Sequence, residues 1–309
     1  MADDSNSTPP IVVTGANGLV GSHTCRALSE RGADVRAVVR RAGTAPDLPG
    51  VTEHVGGFGD PDFASSVVQG AQAVVTTVHP MGSDRSTQQQ VGVTDTSTLA
   101  RAASEAGVSR LVHISTASVY DRSPEAGDVD ESSPLVPDDA GDYAVTKRDT
   151  EAALAEVGGL TGIMLRPPVI LGAGESSMWN SLHPARMAED PRAREAVPEA
   201  SFAWVHVEDL AAFAADLAVG SISVSSDPGA GPKEGTWTAV NVAAGPATAR
   251  DYYSTVTGAL GVEPVWQDGP AWTGRISADR AHGWGWRPQV ELAGALAELD
   301  AGLRGSGAS

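Results

Sequence analysis

Lysine is nearly missing from this chain. Lys147 and Lys233 are the only two among 309 residues, and arginine supplies the other fixed positive charges. Any role that needs an ammonium therefore falls on very few positions. Cysteine is scarcer still: the single Cys25 excludes an internal disulfide and any cysteine-rich metal site, and no metal is implied. Positive charge is short overall, with 21 Lys plus Arg against 39 Asp plus Glu, a formal net charge of −18. Such a field repels nucleic acid and anionic membrane, so neither is expected as a partner. It also requires that an anionic cofactor be captured by local positive features. No apolar run approaches a membrane span, and the opening MADDSNSTPP lacks the basic and apolar segments of a signal peptide. The expectation is a soluble, cytoplasmic protein. No internal repeat is found.

What is present begins at Ile11. Ile11-Val12-Val13 reads as a buried parallel strand, broken at Thr14-Gly15, with an apolar helix pattern from Leu19 to Arg31. Gly15, Gly18 and Gly21 give the spacing G-x-x-G-x-x-G. Gly15 permits the tight turn, Gly18 lets the backbone approach a pyrophosphate, and Gly21 lets helix pack on strand. The phosphates would then rest on free amides at the positive helix end. An ordinary strand–turn–helix joint with spare glycines is the plainer alternative.

Further strands are expected at 34–40, 51–55, 73–78, 110–116, 162–166, 202–207 and 237–242. Helices are expected at 88–106, 142–157 and 208–219, and from Thr248 through Leu260, where Thr248 and Asp251 resemble a capping box. This alternation implies an α/β fold: a Rossmann-like, doubly wound parallel sheet covered on both faces, with a smaller carboxyl-terminal substrate-binding domain. The dinucleotide-binding domain is expected over 11–168, with 202–243 returning to it. Residues 169–201 and 244–304 form the second domain, and 1–10 and 305–309 are expected to be disordered tails.

The strand at 110–116 ends in Ser115-Thr116-Ala117-Ser118-Val119-Tyr120. Ligands bind beyond the carboxyl ends of such strands, so these hydroxyls face the same crevice as the glycine turn. After an acidic loop, Tyr143 and Lys147 stand one helical turn apart on one face. An ammonium beside a tyrosine favours the phenolate and brings its pKa toward a useful range. An exposed helical Tyr–Lys pair is the plainer alternative. The scarcity of lysine argues against it.

TGANGLVG, VHISTASVY, YAVTK, LRPPVILG and WVHVEDLA occur in this order. Together they resemble the extended short-chain dehydrogenases/reductases, the NAD-dependent epimerase/dehydratase family, over about residues 11–300. The resemblance implies a nicotinamide dinucleotide held by Gly15, Asn17, Gly18, Leu19, Val20 and Gly21. Asp60 would contact adenine, and Thr77, His79, Ser115, Lys147 and Pro167 would complete the cofactor site. By the same resemblance Tyr143 is the catalytic tyrosine, Lys147 its partner, and Thr116 the hydroxyl that hydrogen-bonds the substrate oxygen. Homodimerisation through a four-helix contact is an analogy of the same kind. Some positions depart from the family pattern: Gly92 falls where many members carry a structural asparagine, and Asp121 follows Tyr120 where glycine is usual.

Arg40 and Arg41 end the second strand where an NAD-selective site usually has a carboxylate. A guanidinium suits a 2′-phosphate, so NADP(H) is expected in preference to NAD(H), which stays open. A basic residue is missing before WVHVEDLA, where Glu199, Ala200 and Ser201 stand instead. Arg186, Arg192, Arg194 and Arg275 are possible substitutes for holding a sugar diphosphate. Met178, Trp179, Leu182 and Met187 suggest an apolar entrance, with Ser118, Met178, Trp179 and Arg186 facing substrate. The leading expectation is an NADP(H)-dependent reductase of a small carbonyl compound with Tyr143 as general acid. A nucleotide-sugar epimerase, dehydratase or ketoreductase is the alternative, and a non-catalytic NADP sensor stands last.

Overall fold

A computed structural model describes residues 9–80 and 82–306. The expected tails at 1–8 and 307–309 lie outside these. Seven parallel strands form the central sheet: β1 (Ile11–Thr14), β2 (Val35–Val39), β3 (Val51–Val55), β4 (Ala73–Thr76), β5 (Arg110–Ile114), β6 (Thr161–Arg166) and β10 (Trp237–Asn241). Their order is β10-β6-β5-β4-β1-β2-β3. β1, β4 and β6 are buried at every position, as strands in a sheet covered on both faces should be. The winding reverses between β1 and β4, so the glycine turn after β1 opens into the crevice where such sheets bind ligands.

Helices α1 (Leu19–Glu30) and α7 (Val207–Val219) cover one face. Their core includes Cys25, Leu28, Leu210 and Phe213 together with Val13, Val112 and Ile163. α2 (Pro61–Val68), α4 (Thr96–Glu105) and α5 (Asp142–Ala155) cover the other, around Leu99, Ala103, Leu111 and Leu154. α4 is preceded by the short α3 (Arg85–Gln88) and a π-helical turn, Gln89–Asp95. Cys25 is a core residue, and burial pushes its thiol up to about 12.

A third apolar cluster joins Leu171, Met187, Phe202, Trp204, Tyr252, Val256, Ala295 and Leu299. It is built from β7 (Val169–Leu171), α6 (His183–Glu189), β9 (Trp204–His206), α8 (Ala249–Leu260) and α10 (Leu292–Ser306). β7 pairs with β9, and β8 (Glu195–Ala196) with β11 (Val265–Trp266). α9 (Asp279–Gly283) lies between β11 and α10. The Thr248–Asp251 capping box forms as expected. The carboxyl-terminal helix continues to Ser306, through residues 305 and 306 that read as tail.

Candidate active site

The glycine turn is shaped by close approach. A Cβ on Gly21 would lie 2.1 Å from the Gly15 carbonyl oxygen, and Gly15 itself takes φ +67°. Only glycine serves at either place. Gly18 is the N-cap of α1 and supplies no capping side chain, and the first turn carries no acidic residue. The opening amides of α1 are therefore left for an anion. Asn17 is exposed, and Leu19 and Val20 are half-buried behind the turn. Thr77, at the end of β4, donates to the Thr14 carbonyl at 2.7 Å and so braces the turn across the switch point. This cradle fits a dinucleotide pyrophosphate.

Arg40 and Arg41 follow β2, both exposed. Neither guanidinium has a recorded polar partner among the described residues. The loop behind them is fixed by Glu53, whose carboxylate accepts from the amides of Gly43, Thr44 and Ala45 at 2.9–3.0 Å. Asp60 caps α2, accepting from Asp62 and Phe63 at 3.0 and 2.9 Å.

Beyond β5, Thr116 caps a single 3₁₀ turn, accepting from the Ser118 amide at 3.1 Å. The Ala117 amide donates to the Pro167 carbonyl at 2.8 Å, tying the end of β5 to that of β6. Ser115 is buried with its hydroxyl unpartnered, and Ser118 is half-buried. α5 brings Tyr143 to Thr116. Burial raises the phenol pKa, and the hydrogen bond with Thr116 opposes that only in part. Lys147 is buried and donates to the Ile114 carbonyl at 2.8 Å. Burial lowers its pKa to about 8, against the pull of Glu151.

This differs from the sequence expectation that the ammonium depresses the tyrosine. The side chains share a helix face, but Lys147 is committed to the backbone of β5, and the phenol keeps its proton.

His79, expected from the sequence at the cofactor site, meets Tyr143 edge-on and contacts Gln88 Oε1 at 3.1 Å. Other neighbours of the site had no clear sequence signal. Glu151 pairs with Arg166, which donates to Tyr120 at 2.8 Å, and Tyr120 donates to Asn241 at 2.7 Å. This buried chain stands behind Lys147. At Gly92, a Cβ would lie 3.3 Å from Thr150 Oγ1 and 3.4 Å from Thr146 Cγ2, so the missing asparagine is matched by missing space.

The residues suggested for substrate are dispersed. Trp179 packs edge-on against Phe202 and Tyr252 in the third cluster, and Met187 is fully buried there instead of lining an entrance. Met178 is half-buried and Arg186 exposed. Arg194 reaches the Glu263 carbonyl at 3.4 Å, and Arg275 pairs with Asp128 at 3.0 Å. A cleft of about 340 Å³ beside Arg275 also presents Asp128, Glu199 and Asp251.

The model of the NAD dependent epimerase/dehydratase family matches residues 11–219. The chain belongs to this family. Its sheet and flanking helices are those of the extended short-chain dehydrogenases/reductases. A curated relative, 2-alkyl-3-oxoalkanoate reductase of Stenotrophomonas maltophilia, is 32% identical over 174 residues, 54% of this chain and 53% of that protein. UDP-glucose 4-epimerase of Azospirillum brasilense is 30% identical over 186 residues, 56% of this chain and 52% of that one. The chain spans about half the length of these relatives. The Bordetella bronchiseptica enzyme WbmG in complex with NAD shares the fold, with a TM-score of 0.71 at 19% identity over 100% of this chain and 98% of its own. Among the described residues, no helix is long and apolar enough to cross a membrane.

Proposed function

We propose that this protein is an NADP(H)-dependent carbonyl reductase. The carrying observation is the convergence of Thr116, Tyr143 and Lys147 at the carboxyl end of β5, beside an uncapped helix start. When bound, the nicotinamide supplies the hydride to the carbonyl carbon. Tyr143 is protonated at neutral pH because burial raises its pKa, and it gives that proton to the carbonyl oxygen. Thr116 polarises the same oxygen by hydrogen bonding. Lys147, held at the Ile114 carbonyl, orients the site and would hold the cofactor ribose. The unpaired Arg40 and Arg41 favour a 2′-phosphate. Residues 169–201 and 244–304 cover the substrate in this reading.

The reductase relative is named for an oxo acid, which makes oxo acids the first substrates to assay. A nucleotide-sugar reading finds support in the epimerase relative but needs free cations for a diphosphate. Of the arginines named for that role, Arg275 is paired with Asp128 and Arg194 reaches the Glu263 carbonyl, which leaves Arg186 and Arg192 without a side-chain partner among the described residues.

The test identifies the cofactor released on denaturation, compares NADPH with NADH binding, and then assays a carbonyl panel. Tyr143→Phe should lower kcat by about 10²–10⁴-fold with cofactor affinity nearly unchanged. Stoichiometric tightly held NAD, or a fully active Tyr143→Phe, would overturn the proposal.

A further inference from the structure

Arg122 is set apart from the other enclosed arginines. Arg36, Arg110, Arg148, Arg166, Arg194 and Arg280 are each buried or half-buried, and each donates to a carbonyl or carboxylate. Arg122 is half-buried as well, yet its one recorded partner is the face of Trp272, with the guanidinium carbon 5.3 Å from the ring centroid. Burial lowers its pKa, and no carboxylate acts to raise it. In a chain where acids outnumber Lys plus Arg by 39 to 21, a sheltered guanidinium without an acid is a notable exclusion. Arginine desolvated in this way is stabilised by an anion that completes its planar fork.

Its surroundings hold it in place. Trp272 is 8% exposed, and its indole donates to the Gly127 carbonyl at 2.7 Å. Its own carbonyl accepts from the Ser201 amide at 2.8 Å on the approach to β9. On the other side, the Asp121 amide donates to Pro134 at 3.0 Å, and Tyr120 bridges Leu135. Arg122 thus lies in the segment that follows β5 beyond the carboxyl end of the sheet, six residues on from Thr116, with a rigid aromatic platform against its guanidinium.

We infer that Arg122, stacked on Trp272, binds the carboxylate of an oxo-acid substrate whose carbonyl is presented to Thr116 and Tyr143. This rests on the carbonyl-reductase reading and adds the substrate class. An ion pair in so sheltered a place discriminates strongly against a neutral analogue.

The test compares 3-oxooctanoate and 7-oxooctanoate with their methyl esters, so that two spacings between carbonyl and carboxylate are sampled. The wild-type protein should favour at least one acid over its ester by about 100-fold in kcat/KM. Arg122→Gln should bring that ratio close to one, and Arg122→Lys should leave it intermediate. Circular dichroism and NADPH titration establish that both variants are folded. Calorimetry with 3-hydroxyoctanoate and 7-hydroxyoctanoate reads the site without turnover. Binding by wild type and its loss in Arg122→Gln support the anion site even if no carbonyl is reduced, in which case only the reductase reading fails. Equal use of acids and esters by wild type, or equal binding of the hydroxy acids by both proteins, overturns the inference.

Discussion

The rings of His79 and Tyr143 meet edge to face, with centroids 4.8 Å apart and planes at 83°. The contact places a neutral imidazole against the phenol. His79 is lowered to about 4 by burial and by the nearby Lys147 charge, and His113, buried behind it, lies well below its ordinary value. Between about pH 4 and the unfolded value near 6.5, the unfolded chain binds protons that the folded one refuses.

Stability should therefore fall as the pH drops through that window, by up to about 1.4 kcal/mol per pH unit for each such histidine. Urea unfolding from pH 7 to pH 4 measures the slope. His79→Gln should lower the slope and leave the share due to His113, and an unchanged slope would count against the neutral His79 ring.

Lys147 has a folded pKa of about 8, depressed from 10.5. The folded state thus disfavours its charge, and the penalty is complete below about pH 8. Lys147→Met should abolish activity yet raise the melting temperature at pH 7. The gain should shrink as the pH rises from about 8 toward 10.5, where the unfolded wild-type lysine also loses its proton. A variant less stable than wild type at pH 7 would show that the bond to Ile114 outweighs the desolvation.

The two inner glycines should separate folding from binding. A methyl at Gly21 would collide with the Gly15 backbone, so Gly21→Ala should lose stability by a few kcal/mol and fail to bind cofactor. At Gly18 the added Cβ would lie 3.3 Å from the Gly15 oxygen, a tight but adjustable contact. Gly18→Ala should fold and still lose NADPH affinity, because the methyl occupies the pyrophosphate approach. Thermal melts with and without NADPH distinguish the two.

Replacing Arg40 and Arg41 by serine should cut NADPH affinity about 10- to 100-fold and leave NADH binding within a few-fold. Equal losses for both cofactors would mean that the pair serves the adenosine in general and not a 2′-phosphate.

Much of this architecture was legible because it is local. The Thr248–Asp251 box and the apolar run of β1 announce themselves within a few residues. β8 and β11 are two residues each and exist only through one another, so no window reveals them. α10 has apolar residues at helical spacing, Leu292, Leu296, Leu299 and Leu303, but its small and glycine-rich end reads as tail. The Tyr143–Lys147 spacing fixed a common face. It did not reveal that the ammonium turns to the Ile114 carbonyl, because that depends on β5, distant in sequence. Arg122 escaped notice because its neighbours are acidic and loop-like, and Trp272 reaches it from far along the chain.

The β6–β10 pairing sets an order of assembly. Trp237 lies opposite Gly162, so a nascent chain completes six strands well before the seventh exists. Until residue 241 has been made, β6 is an open edge with apolar side chains and unpaired backbone groups. Such edges recruit other chains. Truncation within 167–241 should therefore yield aggregates rather than a smaller working protein, and refolding from denaturant should lose yield with rising concentration.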